Sequence, residues 1–68
     1  MKQQKLLILG GAGVHCKLVE AARRLGVYTV VTDNLPDSPA KQLADEQLMY
    51  DIYDVERIVA YCRETGVN

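Results

Sequence analysis

Gly10-Gly11-Ala12-Gly13 and an acid twenty residues beyond it, Asp33, form the spacing in this chain that most suggests chemistry. Glycines between a strand and a helix let the backbone turn tightly and present bare N–H groups at the helix start, which suits an anion. An acid in the place of Asp33 holds a ribose in dinucleotide-binding proteins. The rest of that fingerprint does not fit. Counting from Gly11, Cys16 falls where glycine or alanine should let helix and strand pack closely; counting from Gly10, Ala12 and His15 take the second and third glycine places. Three readings stay open on these residues: an anion or substrate site, a nucleotide or dinucleotide (NAD) site, and a tight turn with no ligand.

The remaining chemical candidates are weaker. His15 has no nucleophile or orienting acid near it in sequence and no metal-ligand spacing around it, so it reads as a solvated side chain on the first helical turn. Cys16 and Cys62 lack the framework of four to eight cysteines found in secreted mini-domains and read as small core hydrophobes. Asp37, Asp45, Glu46 and Asp51 read as caps and solvated loop acids. No catalytic residue and no metal site is expected within the chain.

The elements that position the glycine turn follow from periodicity. Leu6 to Leu9 is a continuous apolar run, as in a strand buried on both faces of a parallel sheet. Val14, Leu18, Ala21, Ala22 and Leu25 then recur at helical spacing, opposite Lys17, Glu20, Arg23 and Arg24, and Gly26 suits the cap. Val27 to Thr32 is a second, β-branched strand. Ser38 is a good N-cap and Pro39 a good first helical residue, which predicts a short helix to about Ala44. Gln47 to Ile52 is a third strand. Asp54 starts a last helix with Val55, Ile58, Val59 and Cys62 inward, ending at Gly66.

The order β-α-β-α-β-α predicts an α/β fold, Rossmann-like, with three α/β/α layers around a small parallel sheet. Right-handed crossovers step outward from the first strand to the third, and the last helix returns across the opposite face toward a fourth strand beside the first. The chain stops before that strand, so it reads as truncated, the front end of something longer, with one sheet edge open. Cys16 and Cys62 then lie on opposite faces, beyond disulfide reach.

Composition excludes several classes. The 68 residues are 49% hydrophobic and 25% charged, ordinary for a folded soluble domain. Ordering 68 residues costs roughly 1.5 kcal/mol each, and about 4,000 Å² of apolar burial at ~25 cal/mol per Å² only just offsets it. A net charge of -1 gives no general attraction for nucleic acid or anionic lipid. Residues 1–32 hold five bases and one acid and residues 33–68 three bases and eight acids, so the two halves should attract each other. The apolar runs are too short to span a membrane, and Lys2 and Lys5 before Leu6 lead into glycines rather than a signal-peptide cleavage site. A cytoplasmic protein is expected.

The stretch Lys5 to Gly13, with Glu20-Ala21-Ala22-Arg23-Arg24-Leu25-Gly26-Val27-Tyr28, resembles the opening of ATP-grasp ligases. More specific is Asp33-Asn34-Leu35-Pro36-Asp37-Ser38-Pro39-Ala40 with Leu43-Ala44-Asp45-Glu46 after it. This is similar to the carbamoyl-phosphate synthase large chain and biotin carboxylase branch, as is Asp54-Val55-Glu56-Arg57-Ile58-Val59. The resemblance covers residues 5 to 67. It implies a single pre-ATP-grasp domain over residues 1–68 whose parent joins a carboxylate to an amine or related nucleophile through an acyl-phosphate. It also implies that ATP and Mg²⁺ are held by later domains absent here, that the fragment alone is inactive, and that its partners are those domains and a small carboxylate substrate. Gly10, Gly11, Ala12 and Gly13, with Asp33 and Ser38 on the rim, become the substrate or anion site. Two other classes compete. One is a stand-alone nucleotide- or dinucleotide-binding module; the other is a small non-enzymatic α/β subunit, pairing through its open edge with a second copy.

Overall fold

A computed structural model describes residues 4–67. Three parallel strands, β1 (Lys5–Leu9), β2 (Tyr28–Thr32) and β3 (Glu46–Leu48), lie in the order β1-β2-β3. Helices α1 (Cys16–Arg24), α2 (Pro39–Leu43) and α3 (Val55–Thr65) follow them in turn, with a 3₁₀ turn at Gly13–His15 before α1. This is the expected β-α-β-α-β-α order.

Register fixes the two faces of the sheet. Leu6 pairs with Thr29 and Ile8 with Val31, while Lys5, Leu7 and Leu9 pair with Tyr28, Val30 and Thr32. Side chains alternate along a strand, so these sets point to opposite sides. On the first side Ile8, Val19, Val31 and Ala40 form the core, with Leu6, Cys16, Leu43 and Ala44 packed against it. Both α1 and α2 therefore cover this face. On the second side Glu46, in register with Val30, accepts hydrogen bonds from Tyr28 Oη (3.0 Å) and Tyr61 Oη (2.6 Å). Lys5 Nζ lies 5.0 and 5.8 Å from the Tyr28 and Tyr61 ring centroids. Tyr61 sits on α3, so α3 covers the face opposite α1, and the free Cys16 and Cys62 ride on helices that the sheet separates.

Several expectations need correction. The inward face of α1 is Cys16, Val19 and Ala22, about one residue round from the anticipated stripe; Val14 and Leu25 are each 80% exposed and Leu18 is 47% exposed. The 3₁₀ turn advances the chain by 3.0 residues per turn, which rotates everything after it. The first strand is less buried than its run of leucines suggests: Leu9 is exposed, and Leu6 and Leu7 are half-buried, because β1 is an edge strand. The third strand is Glu46–Leu48, not Gln47 to Ile52; Thr32 Oγ1 takes the Tyr50 carbonyl at 2.7 Å and the ladder stops. On α3, Val55 and Val59 are exposed, and Ile58, Tyr61 and Cys62 face the sheet half-buried. Asp54 holds the N-cap position with no side-chain cap bond.

Asp45 and Glu46 are not merely solvated loop acids. Asp45 accepts the Thr29 N–H (2.9 Å) and hydroxyl (3.1 Å), closing β2 one residue before β3 begins. The amide bond from Thr29 is the main reason its carboxyl is held below the usual range, against the pull of burial, with Arg23 at 3.7 Å adding to it. That Arg23–Asp45 pair joins the basic and acidic halves of the chain.

Candidate functional site

The glycine turn leaves β1 at its carboxyl end. Gly10 has φ +99°, a conformation that favours glycine, and its N–H donates to Thr32 O at 2.8 Å. Gly11 is glycine for a different reason. A Cβ there would lie 2.6 Å from Asp33 Oδ2 and would collide with the Ser38 side chain. Its N–H donates to Asp33 Oδ2 (2.8 Å) and its carbonyl accepts the Ala40 N–H (2.9 Å). The turn after β1 is thus stapled at two points to the segment after β2.

Asp33 is the hub. Oδ2 accepts from Gly11 N–H and from Ser38 Oγ (2.5 Å), while Oδ1 accepts from Leu35 N–H (2.9 Å) and pairs with Lys41 Nζ (2.9 Å). A carboxylate offers about four acceptor positions, and all are taken. Burial alone would raise its pKa; the bonds from Ser38, Lys41, Leu35 and Gly11 outweigh burial and hold the carboxyl well below the usual range. Ser38 occupies the N-cap of α2, with Pro39 after it, yet makes no side-chain cap bond because its hydroxyl donates to Asp33. Lys41 is fully buried and also donates to the carbonyls of Asp33 (2.9 Å) and Leu35 (2.6 Å), beside Met49 Sδ at 3.2 Å.

Lys41 had no signal in the sequence. A lysine on a five-residue helix reads as solvated, and only the fold brings two carbonyls and a carboxylate to its ammonium. His15 is likewise not simply solvated: half-buried, its Nδ1 donates to Gly10 O at 2.7 Å and fixes the carbonyl of that positive-φ glycine.

A cleft of about 610 Å³ opens over this hub at the carboxyl ends of the strands. Of the candidate site residues, Gly10, Gly11, Ala12, Asp33 and Ser38 line it and Gly13 does not. Leu35 and Pro36, from the same loop as Asp33, line it too, and its other wall was not anticipated: Asp51, Ile52 and Tyr53 from the loop after β3. Asp51 caps its own turn, accepting Tyr53 N–H at 2.9 Å, and Asp37 stands exposed on the rim.

A parallel sheet with a glycine turn into its first helix and a cleft off its strand ends is a Rossmann-like α/β domain, with the cleft where such sheets take their ligands. The chain belongs to the ribonucleotide synthetase preATP-grasp domains, a family that matches residues 3–67. Formate-dependent phosphoribosylglycinamide formyltransferase from Bacillus subtilis (strain 168) is 37% identical over 57 residues, 84% of this chain and 15% of that enzyme. The enzyme of the same name from Prochlorococcus marinus subsp. pastoris is 38% identical over 53 residues, covering 78% of this chain and 14% of the enzyme. The crystal structure of N5-carboxyaminoimidazole ribonucleotide synthetase from Thermotoga maritima superposes with a TM-score of 0.81 at 35% identity, over 91% of this chain and 17% of that one. The chain therefore spans about a seventh of the length of these relatives.

Gly11 and the Asp33–Ala40 segment hold each other through two hydrogen bonds, Gly11 N–H to the Asp33 carboxylate and Ala40 N–H to the Gly11 carbonyl.

Proposed function

We propose that this chain is the substrate-side domain of an ATP-dependent ligase that joins a carboxylate to an amine or related nucleophile through an acyl-phosphate. The observation that carries the reading is the cleft itself. The two segments that mark the family, the glycine turn and Asp33–Ala40, are bonded to each other and form one wall of it. The relatives act on ribonucleotide-type substrates by their names, which favours a small polyfunctional molecule here. Gly10, Gly11, Ala12 and Ser38 form the surface offered to it, Asp33 positions Gly11 and Ser38, and Gly13 serves the turn from behind.

ATP and Mg²⁺ do not fit the residues of this cleft. Its ionisable side chains are acids, and among the described residues no three His, Cys, Asp or Glu side chains gather to hold a metal ion. In this reading the nucleotide and metal sit on other domains of a single cytoplasmic ligase. Among the described residues no helix is long and apolar enough to cross a membrane. The free edge of β1, beside a groove lined by Leu6, Leu18, Leu25 and Val27, is the place for those domains to join. A dinucleotide module is not favoured, because Asp33 has no acceptor left for a ribose hydroxyl.

Reading the coding frame downstream of Asn68 is the first test. An ATP-grasp module in that frame or an adjacent one supports the ligase; a stop codon with no such neighbour removes it. In the assembled enzyme, Gly11→Val should abolish ADP release that depends on the amine substrate while ATP binding persists. Loss of both together would place the defect outside the cleft. Light scattering separates the competing edge occupant, a second copy of the chain.

A further inference from the structure

We propose that the cleft receives the protonated amine or hydroxyl end of its substrate and rejects phosphate, with Asp33 standing where an anion would otherwise sit on the glycine turn. The proposal rests on the reading of the cleft as the substrate side and adds the chemistry of what it takes.

Hydrogen-bond direction decides what the turn can hold. An oxyanion needs donors, and two donors at this turn are already committed. The Gly11 N–H and the Ser38 hydroxyl both donate to Asp33 Oδ2, at 2.8 and 2.5 Å. A serine hydroxyl has one proton, so Ser38 can offer a ligand only its lone pairs. The N–H of Gly10, next in line, donates to Thr32 O.

Charge points the same way. Asp33, Asp37 and Asp51 line the cleft, and among the described residues no lysine, arginine or histidine does. The cation nearest to it, Lys41, is fully buried, and its ammonium lies behind the wall on Asp33 Oδ1 and the carbonyls of Asp33 and Leu35. Lys41 balances Asp33 and leaves Asp37 and Asp51 uncompensated at the mouth. What faces a ligand is therefore a set of acceptors with net negative charge, beside the exposed apolar side chains of Leu35, Ile52 and Tyr53. A phosphate meets repulsion and, at Gly10, Gly11 and Ser38, donors already in use; an ammonium or a hydroxyl cluster meets acceptors. A phosphorylated substrate would have to turn its phosphate away from this turn, toward groups outside the cleft.

The test is an NMR titration of the ¹⁵N-labelled protein at fixed ionic strength, reading the Gly10 to Val14 amides against glucosamine, ribose 5-phosphate and inorganic phosphate. Glucosamine should shift these resonances at concentrations about tenfold below those that phosphate needs. The double variant Asp37→Asn/Asp51→Asn should shrink that gap to about threefold or less. Its folding is not at risk, because Asp37 is exposed and an asparagine at position 51 keeps the oxygen that accepts from Tyr53 N–H. Asp33→Asn should go further and bring phosphate onto the turn; where that variant fails to fold, the rim pair decides. Phosphate shifting the Ala12, Gly13 and Val14 amides at or below the glucosamine concentration overturns charge selection and leaves the substrate-side reading standing. Shifts from none of the three ligands overturn both.

Discussion

The two faces of the sheet are held in different ways. Under α1 and α2 lies a dry core, Ile8, Val19, Val31 and Ala40, backed by the buried Lys41–Asp33 pair. Under α3 the sheet buries Val30, but no helix residue is fully buried, and the side-chain bonds run through Tyr28, Tyr61, Glu46 and the Lys5 ammonium. Apolar burial is non-directional and contributes in proportion to area, whereas each half-exposed polar contact adds only about 1 kcal/mol. The first face should therefore unfold only with the whole domain, and α3 should detach at lower cost. The candidate cleft is built almost wholly on the strong face, with only Asp51, Ile52 and Tyr53 on the path to α3. That places the rigid wall on one side of the ligand and the adaptable wall on the other.

The largest effect expected is from Lys41→Met. The side chain stays unbranched, one atom shorter, but leaves the Asp33 carboxylate and two carbonyls without their donor. Removing one partner of a buried pair costs about 3–5 kcal/mol, more than a chain of this size is expected to have in reserve. Thermal denaturation followed by circular dichroism should show no cooperative transition. Adding Asp33→Asn should restore part of it, since the orphaned charge is then gone. A Lys41→Met protein melting within a few degrees of the parent would show that the pair is not what holds the strong face.

Core packing gives a smaller, sharper contrast. Val31 is fully buried on the strong face, and Val31→Ala should cost about 2 kcal/mol. Val59→Ala, on exposed α3, should change stability by less than about 0.5 kcal/mol. Urea midpoints measured side by side would break the comparison if the two variants moved equally.

The same asymmetry decides what the sequence could reveal. The order of elements, the glycine turn, the Ser38-Pro39 helix start and the helix ends at Gly26 and Gly66 (φ 76° and 73°) were legible because each depends on local backbone preference. The rotation of α1 was not, because a 3₁₀ turn of three residues leaves no mark in an apolar periodicity. Glu46 reads as a loop acid in the sequence because its partners, Tyr28 and Tyr61, are 18 and 15 residues away. In the site, Gly11 and Asp33 were visible by type and spacing. Lys41 was not, since its burial depends on two carbonyls in a loop whose path only the fold determines. Local rules read local structure; a polar hub assembled from three segments has no local rule.

The smallest effect separates the faces by pH. Asp33 is held below its ordinary pKa, so its stabilisation is complete above the unfolded carboxyl value near 3.9 and fades as pH falls through the folded one. Tyr61 runs in the opposite direction: burial first, then the hydrogen bond to Glu46, raise its pKa above 10.0. The neutral phenol donates to Glu46, so this contribution is complete below the unfolded tyrosine value near 10 and is lost as pH rises through the folded one. Acid should therefore loosen the cleft face and alkali the α3 face. Tyr61→Phe removes the alkaline arm, at a cost of about 1 kcal/mol at neutral pH. Melting temperatures from pH 7 to 11 should fall for the parent and flatten for Tyr61→Phe, while a second series below pH 4 should show the same acid loss in both. A variant that kept the full alkaline loss would move the responsible group to Tyr28, whose pKa is also raised, first by its bond to Glu46. Loss of the acid arm as well would mean that the two faces do not behave independently.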